Sequence, residues 1–485
     1  MTGVEAIQAR LGLPGENIPS MRRFALATVA LLLLPVASAG TAQAAVADPV
    51  AAYSLVAPVG ASPSGLVARA IMPLGVGCPR LQVVKSDGSR MSVAMTQRAA
   101  PATTGAAFTS LTSCTADIPA GAASAHVGTA TIPAAMPATV KRMAIFGDSG
   151  CRLKGSSIQD CGDPSEWPLA RITNSIAKEQ PDLIVFTGDF FYREAGCPDS
   201  DLAKCGGSPA PIKGMPFNDS AYSWSADVFT PMSPMFPVAP IVVTRGNHEA
   251  CYRGGNGYFI YMDPRKGTEG NCAPFTDADG TLTVPSNDLD PTYAADIPLA
   301  GGRSLRLVVV DSAYGQDCEP SNIVPLQRTR YERAQQLAKG RESWLVVHRP
   351  ITGWQPNTDC GPTGGWISAD QAVASAGLLS PFEMLLSSHV HIAEAVNIEG
   401  LPPQLVIGNG GTKLEDPAGM APIGGPSFAG ATYSAPTSFW SALRFGYVMA
   451  TPAPGTGWTM QMHDPTGGVF ATCALKAQQI ACEER

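Results

Sequence analysis

Six apolar runs, at 143–146, 183–187, 241–244, 305–310, 344–347 and 383–386, set the rhythm of this chain. They lack the strict apolar–polar alternation of a strand with one wet face. Short, near-continuous runs of this kind predict strands buried on both faces. Amphipathic stretches lie between several of them. Residues 167–179 place Leu169, Ile172 and Ile176 on one helical face, and Gln180-Pro181 ends the pattern. Residues 325–339 form a second, more polar candidate helix. Strands alternating with helices predict an α/β fold with a sheet sandwich.

The flanks carry a different pattern. Residues 46–140 are rich in Ala, Gly, Pro, Ser, Thr and Val, with short alternating stretches at 81–84 and 125–132. They predict a small β-rich N-terminal domain, followed by an Ala/Pro linker at 133–139. Its one histidine, His126, has no acidic cluster in the segment, which points to a structural role. Residues 262–300 and 350–368 are Gly/Pro/Asp-rich loops suited to lining an entrance. Asp277-Ala278-Asp279-Gly280 lacks the glycine and terminal Glu of an EF-hand loop and is expected to be a plain turn. Stretches 444–450, 459–463 and 469–473 predict a closing β meander.

Composition narrows the class. With 485 residues, 50 Gly, 43 Pro and 15% charged residues, the chain reads as loop-rich and globular rather than a helical bundle. A formal charge of −7 and no basic stripe exclude nucleic acid as the expected partner. Arg22 and Arg23 precede an apolar stretch at 24–36, and Ala37-Ser38-Ala39 or Ala42-Gln43-Ala44 offers a cleavage site. This predicts an export signal over 1–45, with Met21 a candidate start. The stretch falls short of the roughly 20 residues a spanning helix needs, so no membrane span is expected after its removal. The expected location is secreted or periplasmic. Twelve cysteines with no C-x-x-C pair fit disulfides in an oxidising compartment. They fall into neighbours Cys78/Cys114, Cys151/Cys161, Cys197/Cys205, Cys251/Cys272, Cys318/Cys360 and Cys473/Cys482, although spacing alone leaves the pairing open.

Candidate chemistry sits at the strand ends. Five segments carry it: Gly147-Asp148-Ser149-Gly150, Gly188-Asp189-Phe190-Phe191-Tyr192, Gly246-Asn247-His248-Glu249, Leu345-Val346-Val347-His348 and Ser388-His389-Val390-His391. Four of the six histidines fall inside them, so the histidines are spent on one place. Ligands of α/β folds gather at the carboxyl ends of strands. Taken singly, an Asp there is a turn or cap residue and a His a satisfied structural group. Together the segments deliver carboxylate, amide, phenol and imidazole to one rim, a donor set for two metal ions of the kind that hydrolyses phosphate esters. Asp189 is the predicted bridge. His389 and His391, at i and i+2, point the same way if the backbone is extended.

The ordered series GDxG, GDxxY, GNH[DE], VxxH and GHxH resembles the purple acid phosphatases of the calcineurin-like metallophosphoesterase superfamily. Here it reads GDSG, GDFFY, GNHE, LVVH and SHVH, and the likeness extends to Gly408-Asn409-Gly410-Gly411. Most of the superfamily begins with D-x-H; this chain has Gly150 at that His and supplies Tyr192, as purple acid phosphatases do. The resemblance implies a β-sandwich flanked by helices (αββα), spanning 141–485, and a dinuclear centre. It implies Asp148, Asp189, Tyr192 and His391 around Fe(III), and Asp189, Asn247, His348 and His389 around a divalent Fe, Zn or Mn. Hard phenolate and carboxylate donors at one ion and imidazoles at the other suit those choices. His248 resembles the family's phosphate-contacting acid, with Glu249 behind it. The implied activity is hydrolysis of a phosphomonoester by hydroxide held at the metals. Two departures stand out: Ser388 replaces Gly, and no further histidine lies between His348 and His389. Arg245 and Arg349 are the candidates to contact phosphate instead. The alternatives are a phosphodiesterase or nucleotide hydrolase of the same superfamily, and a secreted metal-binding module without catalysis.

Overall fold

Each of the apolar runs becomes a strand whose alternate residues enter two different cores. The computed structural model describes residues 47–98, 107–154, 157–206, 219–266, 272, 291–356, 360, 364–415, 422 and 424–485. The predicted export signal and the 277–280 turn lie outside them. Met143–Phe146, Leu183–Phe186 and Ile241–Val243 run parallel at the centre of an eleven-stranded sheet. Ser304–Val310, Glu342–Val347, Met384–Ser387 and Gln404–Ile407 run parallel within a seven-stranded sheet.

The two sheets pack face to face. Ile145, Leu183 and Val185 share one core with Leu307, Val346 and Leu386, and Trp344 of the second sheet meets Trp458 of the first at 4.7 Å between ring centroids. The outer face of the first sheet, with Phe146, Ile184 and Phe186, is covered by helix Leu169–Glu179 through Leu169, Ile172 and Ile176. Val308, Val310 and Leu345 on the outer face of the second sheet are covered by helix Val324–Ala338 through Tyr331, Ala334 and Ala338. The layers are therefore helix, sheet, sheet, helix. Gln180, in the left-handed region at φ 50°, ends the first helix one residue before Pro181.

The flanking segments complete the same sheets. Tyr447–Pro452 adds antiparallel to Met143–Phe146 and opens the C-terminal meander. Ala51–Val56 lies beside Ile241–Val243, with Leu55 opposite Ile241, and Leu66–Pro73 follows it. Other strands between 80 and 132 form a separate four-stranded sheet. Six disulfides join the cysteines that are neighbours in sequence, and no described cysteine is free. Among the described residues no helix is long and apolar enough to cross a membrane.

The N-terminal strands also grip the chain that follows Gly246-Asn247-His248-Glu249. Arg69, fully buried, donates to the carbonyls of Ile260 at 3.3 Å and Asp263 at 2.7 Å. Arg98 donates to Phe259 O at 2.6 Å and Arg265 O at 2.7 Å. Replacing Arg69 by Leu removes the donor to the Asp263 carbonyl, while Ile260 O keeps Ser113 Oγ at 2.8 Å, at about 1–3 kcal/mol for the unsatisfied group. Chemical denaturation of Arg69→Leu is expected to show a loss of about 1–3 kcal/mol; an unchanged midpoint would show that the 259–265 segment holds itself.

Candidate metal centre

The carboxyl ends of both sets of parallel strands open on one rim. The first sheet brings Asp148, Asp189, Tyr192 and Asn247 to it, and the second brings His348, His389 and His391. The Tyr192 hydroxyl oxygen lies 2.7 Å from Asp148 Oδ1, 2.8 Å from Asp189 Oδ2 and 3.0 Å from His391 Nε2. Asn247 Oδ1 lies 2.9 Å from His348 Nε2 and 2.7 Å from His389 Nδ1. His348 Nε2 is 3.2 Å from Asp189 Oδ2. The donors thus form two sets that share the Asp189 carboxylate.

Holding them there requires strained backbone. Six described non-glycine residues have positive φ, and three are Asp148 at 54°, Asp189 at 59° and His389 at 74°. Each such conformation costs on the order of 1–3 kcal/mol and persists only where surroundings over-determine it. The surroundings here do so. Asp148 N donates to Gly188 O at 2.9 Å, and Ser149 N to Asp189 O at 3.0 Å, knitting the first two motifs together. The Glu249 carboxylate accepts the N–H groups of Asp189, Phe190, Phe191 and Gly246, at 3.0, 2.8, 3.1 and 3.0 Å. A Cβ on Gly246 would sit 2.1 Å from Asp189 Oδ1. A Cβ at Gly150 would lie 2.7 Å from both Phe190 O and Tyr192 N. In this backbone the Tyr192 segment therefore excludes any side chain at position 150.

The imidazoles are fixed from behind. His348 Nδ1 lies 3.0 Å from Thr187 O and 3.0 Å from Ser388 Oγ, and Ser388 Oγ donates to Thr187 O at 2.7 Å. Serine in place of glycine at 388 is thus a tie between the sheets. His391 Nδ1 lies 2.9 Å from Lys413 O, and His389 Nε2 lies 3.3 Å from Asp317. In every case one ring nitrogen is anchored and the other faces the centre, the arrangement that prepares an imidazole for a metal. The two histidines of Ser388-His389-Val390-His391 do not project side by side from an extended strand. The left-handed turn at His389 sends its ring toward Asn247, while His391 turns toward Tyr192.

The charges also fit cations. Burial, with Asp148 and Asp189 alongside, pushes the Tyr192 phenol well above its ordinary value. Burial alone would raise Asp189, but the His348 and His248 imidazoles hold it well below the usual carboxylate range. Two carboxylates and a phenol crowded out of water, with anchored imidazoles around them, form a donor set that multivalent cations neutralise. The residues present fit two metal ions.

Other expectations change. Arg245 does not line the cleft: it is 1% exposed, pairs with Asp311 at 3.3 Å and stacks on Phe259 at 4.6 Å. An apolar-walled pocket with its own carboxylate satisfies that guanidinium, so it is not a phosphate contact. Arg349 does line the cleft, pairing with Asp317 and approaching His389 Nε2 at 3.0 Å. Glu249 acts on the Asp189 loop rather than on His248. The His248 ring instead meets Glu194 Oε1 at 2.6 Å through Nδ1, and Arg253 joins the same carboxylate. Burial and then Arg253 lower His248 to about 4, against the pull of Glu194. Sequence reasoning missed Glu194, Arg253 and Asp317. Glu194 follows Tyr192 by two residues, a local signal, whereas nothing local marks Asp317. The cleft over the centre has a volume of about 1170 Å³ and is lined by Asp189, Asn247, His248, His389 and His391 among others.

A helix–sheet–sheet–helix sandwich whose strand ends converge carboxylates, a phenol and imidazoles defines a metal-dependent phosphoester hydrolase. Residues 141–393 match the model of the calcineurin-like phosphoesterase family, and the chain belongs to that family. In fold it is similar to a purple acid phosphatase, PPD1, from yellow lupin (Lupinus luteus) seeds, with 13% identity and a TM-score of 0.52 over 90% of this chain and 74% of that one. It is similar also to a structure of PhoD, with 14% identity and a TM-score of 0.51 over 90% of this chain and 92% of that one. No curated protein sequence matches the chain.

Neither Gly246 nor Glu249 is itself a metal donor, but Gly246→Ala would press a Cβ against Asp189 Oδ1 and Glu249→Ala would release the N–H groups that hold the Asp189 loop. Both are expected to lower metal affinity by about 10–100-fold, the range for groups that act behind ligands. Metal titration alongside circular dichroism reads this; wild-type affinity in a folded variant would show that Asp189 needs no such cradle.

Proposed function

We propose that the protein is an exported phosphatase that hydrolyses phosphomonoesters at a dinuclear metal centre. Asp148, Asp189, Tyr192 and His391 would hold Fe(III), and Asp189, Asn247, His348 and His389 a divalent Fe, Zn or Mn. The observation that carries this assignment is the Asp189 carboxylate shared between the two donor sets. When bound, the ions supply positive charge to the phosphoryl oxygens and acidify water. The chain's own residues position and protonate. His248, packed on the Tyr192 ring at 3.8 Å between centroids and fixed by Glu194, lines the cleft where a leaving-group oxygen would lie. It is the proposed proton donor or phosphate contact. Arg349, braced by Asp317, is the proposed second phosphate contact.

In this scheme residues 1–45 direct export, 46–140 form a structural β-rich region and 141–485 carry the chemistry. Six disulfides support an oxidising compartment. N-terminal sequencing of the mature protein is expected to begin near residue 40 or 45, after one of the two Ala-x-Ala sites.

Elemental analysis with a phosphatase assay tests the centre. Wild-type protein is expected to carry iron, to show a visible tyrosinate-to-iron band and to hydrolyse p-nitrophenyl phosphate faster than bis-p-nitrophenyl phosphate. Tyr192→Phe is expected to lose the band, and Asp189→Ala or Asn247→Ala to lose metal from one or both positions together with activity. Full activity in either alanine variant would overturn the ligand assignment. A preference for the diester would move the function to a phosphodiesterase.

A further inference from the structure

The cleft is electrically lopsided. On the wall beside Asn247 and His389, Arg349 is neutralised by Asp317. Arg253, behind His248, is neutralised by Glu194. The wall beside Tyr192 and His391 differs. Arg152 places its guanidinium carbon 5.9 Å from the centroid of the Tyr192 ring. Its backbone N–H donates to Gln159 Oε1 at 2.9 Å, but its guanidinium has no hydrogen-bond or ion-pair partner among the described residues. Lys413 gives its carbonyl to His391 Nδ1 at 2.9 Å, while its ammonium has no partner among the described residues. Lys154 reaches Glu194 Oε2 only at 4.0 Å, and that carboxylate already serves His248 and Arg253. All three side chains line the cleft. Glu415 on the same wall accepts from the neutral amide of Gln355 at 3.1 Å and keeps its charge, so one carboxylate faces the three cations.

Arg152 and Lys154 lie close enough to repel each other, and Lys413 lines the same cleft. Burial, then Arg253 and Arg152, depress the Lys154 ammonium, with Glu194 opposing them. Like charges gathered at the mouth of a cleft repel, and an anion entering between them relieves that repulsion. The phosphoryl group undergoing hydrolysis does not meet this need, since it belongs at the metal donors. The unmatched charge lies beside it, on the Tyr192–His391 side.

We propose that Arg152, Lys154 and Lys413 form a subsite for a second anionic group of the substrate, so that the preferred substrates are phosphate esters bearing a further phosphate. This rests on the phosphomonoesterase function proposed above and names its substrate class. The absence of histidines between His348 and His389 fits it: recognition is moved from imidazoles at the metals to cations at the opposite wall.

The test compares metal-loaded wild type with Lys413→Gln, Lys413→Glu and Arg152→Gln in two ways. One is the ratio of kcat/KM for fructose 1,6-bisphosphate over fructose 6-phosphate. The other is the ratio of affinities for pyrophosphate over orthophosphate by calorimetry. Wild type is expected to favour the doubly anionic member by about tenfold or more in both, and each variant to lose about tenfold of that preference, Lys413→Glu most. Lys413 is exposed, so its variants are expected to fold as wild type does, which circular dichroism checks. Ratios unchanged in folded variants overturn the subsite while leaving the phosphatase intact. If neither sugar phosphate is hydrolysed but the pyrophosphate preference is present and falls in the variants, the subsite stands and the monoesterase function falls.

Discussion

The structure turns on the placement of one carboxylate. Asp189 projects from a left-handed residue into a space bounded by Tyr192, His348 and the backbone of His248, whose N–H donates to its Oδ1 at 2.8 Å. Nothing in an isolated strand–loop segment would keep it there, because the backbone conformation is unfavourable and the charge is buried. Glu249 holds the loop through four N–H groups, Gly246 leaves room for the carboxylate, and two imidazoles offset its charge. The centre is therefore a property of the contact between two sheets. The first sheet supplies the two carboxylates, the phenol and the amide and the second the three imidazoles, and His389 N donates to Asp148 Oδ2 at 2.9 Å across them.

That dependence explains the extent of the reinforcement around the rim. Cys151–Cys161, Cys197–Cys205 and Cys251–Cys272 each close a loop just beyond a donor, and Cys318–Cys360 fixes the residue after Asp317. Cross-links of this kind restrict the unfolded chain and limit the excursions of loops that must return to one geometry. The Gly408-Asn409-Gly410-Gly411 turn adds a further brace, with Gly410 N donating to Gly147 O at 3.0 Å and Thr412 N to Asp148 O at 3.0 Å.

Much of the central architecture was legible. The apolar runs became parallel strands because a strand covered on both faces needs apolar residues at every position. The helices at 167–179 and 325–339 appeared nearly where their periodicity placed them. The N-terminal segment was less legible. Its alternation predicted strands, but the pairing of Leu55 with Ile241 joins residues far apart in sequence and leaves no local trace. Arg245 was misjudged for a related reason: its neighbour Asn247 faces the cleft, yet its own guanidinium turns back to Asp311 and Phe259, partners that sequence does not announce.

The sequence by itself determined the class of chemistry, because donor types and their positions after apolar runs are local properties of the chain. It also determined the exchange of a histidine at 150 for Tyr192. Only the tertiary structure decided that Ser388 ties the sheets and that Glu194, not Glu249, fixes His248. It alone set the balance of charge across the cleft, pairing Arg349 with Asp317 and leaving Arg152 and Lys413 facing open space. Those outcomes depend on which side chains meet across the sandwich, and such meetings are settled by packing rather than by neighbours in the chain.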